Sequence, residues 1–498
     1  MSNPLTFGLQ VLTPSLNEYK QRYLADVLKY HIVCDNDKVA GIYFANDQLV
    51  QRTWKDVSRH TTISGEPGPI RPGEIVSQNK RVQWEFITTS PGISRTEGRD
   101  LVITTAIQVQ YSDGNWWNIM APAIWRQALL FRFLLDTGSN VNSWVFWETA
   151  EPHFLPGTLT PNGKPFHDEE STRKEWEDER WMMKNKVPYD SFANSSEYDR
   201  ANLPYGVSGT RVEVYQANTN LTLVDEGRRF VLEEFPLGLA YRFNPILLTT
   251  HYDGVLAMGP CCNEEPDPID EMGRPTQRGK VEKPIYYIFV KHTIWHYQYR
   301  LLISSCGPLD SSLYHRRVYS MISIGGWTAN FDIQDEHSEE FVVPCTDSAD
   351  HKKFWALHLE SISLRGKSFN IDATVRIDSG ASQSYLPVDP CIAIHKHLVD
   401  DLGAVNEGYA PTEHLCDWVT FEFSAGTTRY TVQGQISRFF VSSDLFEDQH
   451  TCGVSPSADI HMLGLNFFRT FVVGFEDGRQ PKIHLIRQRL VMKDELKR

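Results

Sequence analysis

The sequence predicts an all-β protein with few short helices. Segments rich in Val, Ile, Tyr, Phe and Trp recur between Gly, Pro and Asn turns, among them DLVITTAIQVQY, TRVEVYQ, YSMISIGGW, ALHLESISLRG, WVTFEFSAGTTRYTVQGQI and FFRTFVVGFE. That composition at that spacing is a strand signal. Helical periodicity is confined to two stretches, NEYKQRYLADVLKYHI at 17–32 and VDPCIAIHKHLVDDLG at 388–403. The third observation is an internal repeat. FLLDTGS at 133–139 and VRIDSGA at 375–381 share an apolar, strand-like approach, then Asp, a hydroxyl residue, Gly and a small residue.

Along the chain, residues 1–95 carry eleven Lys and Arg against nine Asp and Glu, a slightly basic stretch ahead of an acidic remainder. Lys80 and Arg81 form a dibasic pair there. Residues 150–195 and 263–283 are crowded with charge, Pro and Gly and are expected to be exposed loops or lids, since neither can bury much apolar surface. The 498 residues carry a formal charge of −14 without any Lys/Arg-rich tract, which argues against a nucleic-acid partner. No apolar run is long enough for a membrane span, and the first thirty residues do not read as a signal peptide. The KDEL near the end is followed by two more residues and is not read as a retention signal.

Neither CxxC nor HExxH occurs, so no metal site and no cofactor is expected. His395 and His397 read as a solvated pair. The RGKS at 365–368 has Ser361 where a phosphate loop requires glycine.

The repeated motif has a chemical reading. Two carboxylates held about 3 Å apart cannot both ionise; they share one proton and titrate as a pair. The ionised member can take a proton from water while the protonated member donates to a carbonyl oxygen. Asp136 and Asp378 are the candidates. Gly138 and Gly380 permit a tight turn and close backbone approach. Thr137 and Ser379 are expected to hydrogen-bond across the centre, and the Ser139 hydroxyl to orient Asp136.

Further segments fall in order around the two motifs: RDLVITTAIQVQ at 99–110, YGVSG at 205–209, YDGVLAMG at 252–259, MISIGG at 321–326, FWALHLESISLRGK at 354–367 and HMLGLNFFRTFVVGFE at 461–476. With both Asp motifs, this set resembles the pepsin-like aspartic peptidases over residues 96–498. The resemblance implies a bilobal pepsin-like fold: two β-barrel-like lobes, 96–327 and 328–498, with a cleft between them and residues 1–95 as an extension or pro-segment. It implies Asp136 and Asp378 as the catalytic pair of an endopeptidase, a polypeptide as partner and a monomeric state. It also implies Tyr205 as the flap residue, Trp144 as its hydrogen-bond partner near the substrate, and a Cys416–Cys452 disulfide. A secreted or vacuolar setting accompanies the family.

Three positions depart from the family pattern. Ala381 stands where many members carry a hydroxyl, so an ionised carboxylate there lacks one hydrogen bond, and activity is expected to extend toward weakly acidic or neutral pH. Ala257 replaces a usual glycine, and Leu465 a usual aspartate. They keep a second reading open, a pepsin-like module that binds peptides without cutting them. Asn194 and Asn220 lie in N-x-Ser/Thr sequons.

Overall fold

The computed structural model describes seven short strands in the first 95 residues: Leu5–Leu12, Cys34–Asp35, Lys38–Val39, Ile42–Ala45, Gln48–Gln51, Glu74–Ser77 and Lys80–Gln83. Beyond them it describes residues 100–110, 115–121, 124–139, 143–152, 184–188, 200–205, 210–225, 228–243, 247, 252–260, 298–302, 320–325, 339–346, 354–381, 383–400, 417–446, 449–452, 454–457, 460–477 and 480–488. The helix expected at 17–32, the insertion at 263–283 and the sequon Asn194 lie outside the described residues. Lys80 and Arg81 sit in a hairpin that pairs Glu74–Ser77 with Lys80–Gln83.

The protein is all-β. Its first half runs through β1 (Leu5–Leu12), β2 (Asp100–Gln110), β3 (Leu130–Asp136), β4 (Trp144–Pro152), β5 (Arg200–Tyr205), β6 (Thr210–Asp225), β7 (Arg228–Phe243) and β8 (Gly254–Ala257). Then follow β9 (Gln298–Leu302), β10 (Ser320–Ile324) and β11 (Glu340–Pro344). The second half contributes β12 (Ala356–Leu364), β13 (Lys367–Ile377), β14 (Ser384–Pro387), α1 (Val388–Asp400), β15 (Trp418–Ala425), β16 (Thr428–Gln435), α2 (Ile436–Phe439), β17 (Val454–Ser457), β18 (Met462–Leu463), α3 (Leu465–Thr470), β19 (Phe471–Glu476) and β20 (Lys482–Arg487). Among the described residues none of the helices is long and apolar enough to cross a membrane.

In the first half β2, β6, β7, β4, β8 and β3 pair in that order, and β3 returns to β2. The sheet closes on itself and leaves no bare edge within the ring. Strand β3 is covered on both faces: Phe131, Phe133 and Leu135 enter one core cluster and Leu134 another. That is why it reads as an almost continuous apolar run instead of an alternating one. Alternation appears where one face meets solvent, as in β13, where Phe369, Ile371, Ala373, Val375 and Ile377 point inward. In α1, Cys391, Ile394 and Leu398 are buried at helical spacing, and Asp389 in the first turn faces the positive end of the helix dipole.

The sequence repeat is also a repeat of topology. Strand β3 runs parallel to β8, with Leu135 opposite Leu256 and Asp136 opposite Ala257, and β4 is antiparallel to β8. In the second sheet β13 runs parallel to β18, with Ile377 opposite Leu463, and β14 is antiparallel to β18. Each aspartate therefore stands at the end of a strand whose parallel neighbour is in turn paired with an antiparallel strand. The second sheet has the order β16, β15, β12, β13, β18, β14, β17.

Strands from the start, middle and end of the chain extend the first sheet in the order β2, β1, β10, β9, β19, β20, β11. Strand β1 pairs through Leu5–Leu9 with β10 and through Gln10–Leu12 with β2, so residues 5–12 are part of the main sheet. Deleting residues 1–12 is expected to cost several kcal/mol, at about 0.5–1.5 kcal/mol for each lost ladder hydrogen bond, and to leave two strand edges open to aggregation. Thermal denaturation of the truncated chain checks this; an unchanged melting temperature would contradict it.

Two polar residues are buried. Asn220 is 8% exposed, its Nδ2 donates to Gln108 Oε1 (3.2 Å) and its Oδ1 accepts the Glu234 N–H (2.9 Å), so in the folded chain this sequon is closed to a glycan. His397 is not solvated but buried against the Phe369 ring, with Lys367 Nζ 3.5 Å from Nδ1.

Candidate active site

A buried carboxylate is costly unless its surroundings are built for it. Asp136 and Asp378 are 2% and 5% exposed; Asp136 is the last residue of β3, and Asp378 follows β13 directly and leads into the turn. The structure brings the two together. A Cβ added at Gly138 would overlap Cγ and both carboxylate oxygens of Asp378. One added at Gly380 would fall 2.7 Å from Cγ and Oδ1 of Asp136 and 3.1 Å from Oδ2. Each glycine thus makes room for the carboxylate of the opposite half. Neither has the positive φ that would itself demand glycine, so the requirement is one of space.

The hydroxyl residues lock the two turns as the sequence led one to expect. Thr137 N–H donates to Ser379 Oγ (3.1 Å), and Ser379 N–H donates to Thr137 Oγ1 (2.9 Å). Each hydroxyl then donates past its partner, Thr137 to the Ile377 carbonyl (2.9 Å) and Ser379 to the Leu135 carbonyl (2.5 Å). All four bonds are buried and join residues about 240 positions apart. Behind each turn the backbone is tied in parallel fashion: Ser139 N–H to the Asp136 carbonyl (3.2 Å) and Ala381 N–H to the Asp378 carbonyl (3.3 Å). Gly259 N–H reaches the Ser139 carbonyl and Leu465 N–H the Ala381 carbonyl, both at 2.9 Å. Asp378 Oδ1 accepts the Gly380 N–H at 2.7 Å.

Two site expectations are corrected. Ser139 is 5% exposed, and its hydroxyl has no hydrogen-bond partner among the described residues, so it does not orient Asp136 through a bond to it. Trp144 is 0% exposed, packed edge-on against Phe146 (ring centroids 5.0 Å apart) in a cluster with Leu134, Leu203 and Val212. It presents no surface to a substrate; its expected hydrogen bond to Tyr205 falls outside the described residues, since the Tyr205 side chain is not among them. Tyr205 ends β5 opposite Thr210 of β6. The tip at 206–209 lies outside the described residues, as do Cys416 of the expected disulfide and loop positions 140–142.

Several supporting residues carry no sequence motif. Asp253, fully buried, accepts from Arg132 N (2.8 Å), Nε (3.4 Å) and Nη2 (3.3 Å) and from Asn185 N (3.0 Å) and Nδ2 (3.3 Å). This knot fixes β3 against β8 at the end opposite Asp136. It also anchors the last part of the 150–195 insertion, whose Lys184 and Val187 are buried, so that part is not an exposed loop. Trp355 Nε1 donates to the Met258 carbonyl (2.8 Å), and Met258 N–H donates to the Asp136 carbonyl (2.8 Å). The Trp355 carbonyl in turn accepts the Ile377 N–H (2.7 Å), so this one residue braces both aspartate strands. Ser143 Oγ accepts the Ala257 N–H (3.1 Å) and Ser384 Oγ the Gly464 N–H (3.1 Å). These serines become visible in the sequence only once the two loops are aligned with a one-residue offset.

Among the described residues no group of three or more His, Cys, Asp or Glu side chains is placed to hold a metal ion. No protein-family model matches the chain, and no curated protein matches it.

Proposed function

We propose that the chain is an aspartic-type endopeptidase in which Asp136 and Asp378 share a proton and activate water against a peptide bond. The observation that carries this reading is the facing of two buried carboxylates from two repeated turns, each seated over the glycine of the other and cross-locked by Thr137 and Ser379. The ionised member takes a proton from the attacking water while the protonated member donates to the carbonyl oxygen, and reversal of these roles delivers a proton to the leaving amine. In this reading the two halves are lobes, the substrate lies between them, and the hairpin ending in Tyr205 closes over it.

A second reading, a peptide-binding module without turnover, is favoured by the apolar setting of the second turn at the position that matches Ser139. Ala381 is fully buried in apolar contact with Tyr385 and Met462, and the Ser139 hydroxyl is unengaged.

A statine-type peptide, which places a tetrahedral hydroxyl between the two carboxylates, separates the proposal from an unrelated β scaffold. At a hundredfold excess over its Kd it should stabilise the wild type by about 2.7 kcal/mol and do so much less in Asp136→Asn. Equal stabilisation of both proteins, or of neither, would contradict the site.

A further inference from the structure

Each aspartate turn is followed by a loop whose far end is tied back by one serine. In the first half Ser143 Oγ accepts the N–H of Ala257, and Ala257 is the register partner of Asp136. In the second half Ser384 Oγ accepts the N–H of Gly464, which the pairing of Ile377 with Leu463 places beside Asp378. Both serines are fully buried. The first loop is one residue longer than the second, yet the tie closes at the same place. In both halves aspartate, turn, serine and neighbouring strand therefore form a closed ring of hydrogen bonds and covalent chain.

The two ties differ in stiffness. Ser384 also donates to Asn466 Oδ1 (2.7 Å), and the Asn466 amide is oriented by its own donation from Nδ2 to the Phe439 carbonyl (2.7 Å). A Cβ at Gly464 would overlap the Gln383 carbonyl, so the loop is pressed directly onto the strand behind Asp378. Two residues beyond Ala257 the first half has Gly259, which offers no side chain for a similar relay. The Asp378 turn is thus anchored through Asn466 to α2 and α3, and among the described residues no side chain extends the Ser143 tie in this way.

We propose that Ser143 and Ser384 are positioning residues that set the separation of the two carboxylates, with Ser384 the stronger of the two. The catalytic consequence rests on the peptidase reading; the geometric consequence does not. Carboxylates held close titrate in two steps pushed apart from the ordinary value, and carboxylates allowed to separate titrate more nearly alike. Loosening a tie should therefore narrow the bell-shaped pH dependence of the rate from both sides, a change that simple loss of folded protein cannot produce.

The test uses the full chain as wild type, Ser143→Ala, Ser384→Ala and Ser384→Thr. Folding is checked by thermal melting, and working sites are counted with a tight-binding statine peptide. Per working site, Ser384→Ala should lower kcat by about 10- to 100-fold with KM changed less than about twofold, the signature of misplaced reacting groups. Its bell should narrow, Ser384→Thr should restore the breadth, and Ser143→Ala should act in the same direction but less. An unchanged bell with activity proportional to the folded fraction would overturn the proposal. Should the wild type cleave nothing, the peptidase reading fails by itself, and carbon-13 NMR titration of the two aspartate carboxyls decides the positioning claim. Two separated steps that converge in Ser384→Ala uphold it; identical titrations in both proteins overturn it.

Discussion

Asp136→Asn is expected to lower kcat on a denatured protein substrate by about 10³-fold, within the range that one general acid or base supplies. Asn has the shape of Asp but no titratable proton, so the pair can neither share a proton nor accept one from water. The surrounding framework does not depend on the charge: the Thr137 and Ser379 bonds run between backbone and hydroxyl groups, and the Asp136 carbonyl bonds are main-chain. The variant should therefore melt at or above the wild-type temperature, since a group buried to 98% no longer carries a charge. Asp378→Asn should behave in the same way, because Oδ1 of the amide can still accept the Gly380 N–H that Asp378 accepts now. Steady-state kinetics beside a melting curve check both. A variant that keeps more than about a tenth of wild-type kcat would remove that residue from the chemistry.

Gly138→Ala is the second large effect, and it works through space. The added methyl would overlap Cγ and both oxygens of Asp378, and neither turn can yield easily because Thr137 and Ser379 hold them together by four buried bonds. Overpacking of this kind costs about 1–3 kcal/mol. The larger loss should be in kcat, about 10²-fold or more, because displacement of a reacting group by about 1 Å is enough for that. Gly380→Ala meets Asp136 at 2.7 Å instead of overlapping it, and should follow the same pattern more mildly. Gly138→Ala with wild-type turnover would show that the carboxylates are not set by this contact.

Much of this arrangement is legible in the sequence because it is local. The alternation of Phe369, Ile371, Ala373, Val375 and Ile377 announces β13, and the spacing of Cys391, Ile394 and Leu398 announces α1. The two Asp-hydroxyl-Gly turns announce both carboxylates, and even the cross-lock of Thr137 and Ser379 follows once the turns are assumed to meet.

What is not legible depends on contacts between distant segments. The pairing of β1 with β2 and β10 bridges about 90 and 310 residues and leaves no local trace. Trp144 looks like a cleft residue by its place after the first turn, but the β5–β6 hairpin buries it. Asp253 is an ordinary acid in the sequence; five donors from two distant residues, Arg132 and Asn185, make it a structural knot. In each case a side chain of unremarkable type takes its role from a partner that the sequence does not bring near.

The most direct test of the central claim is hydrolysis of a denatured protein substrate from about pH 3 to 7, with the wild type, Asp136→Asn and Asp378→Asn compared with and without a statine-type peptide. The account predicts a bell-shaped profile for the wild type, abolished by the inhibitor and by either substitution. Cleavage that persists in either variant, or a well-folded wild type that cleaves nothing across that range, would contradict it.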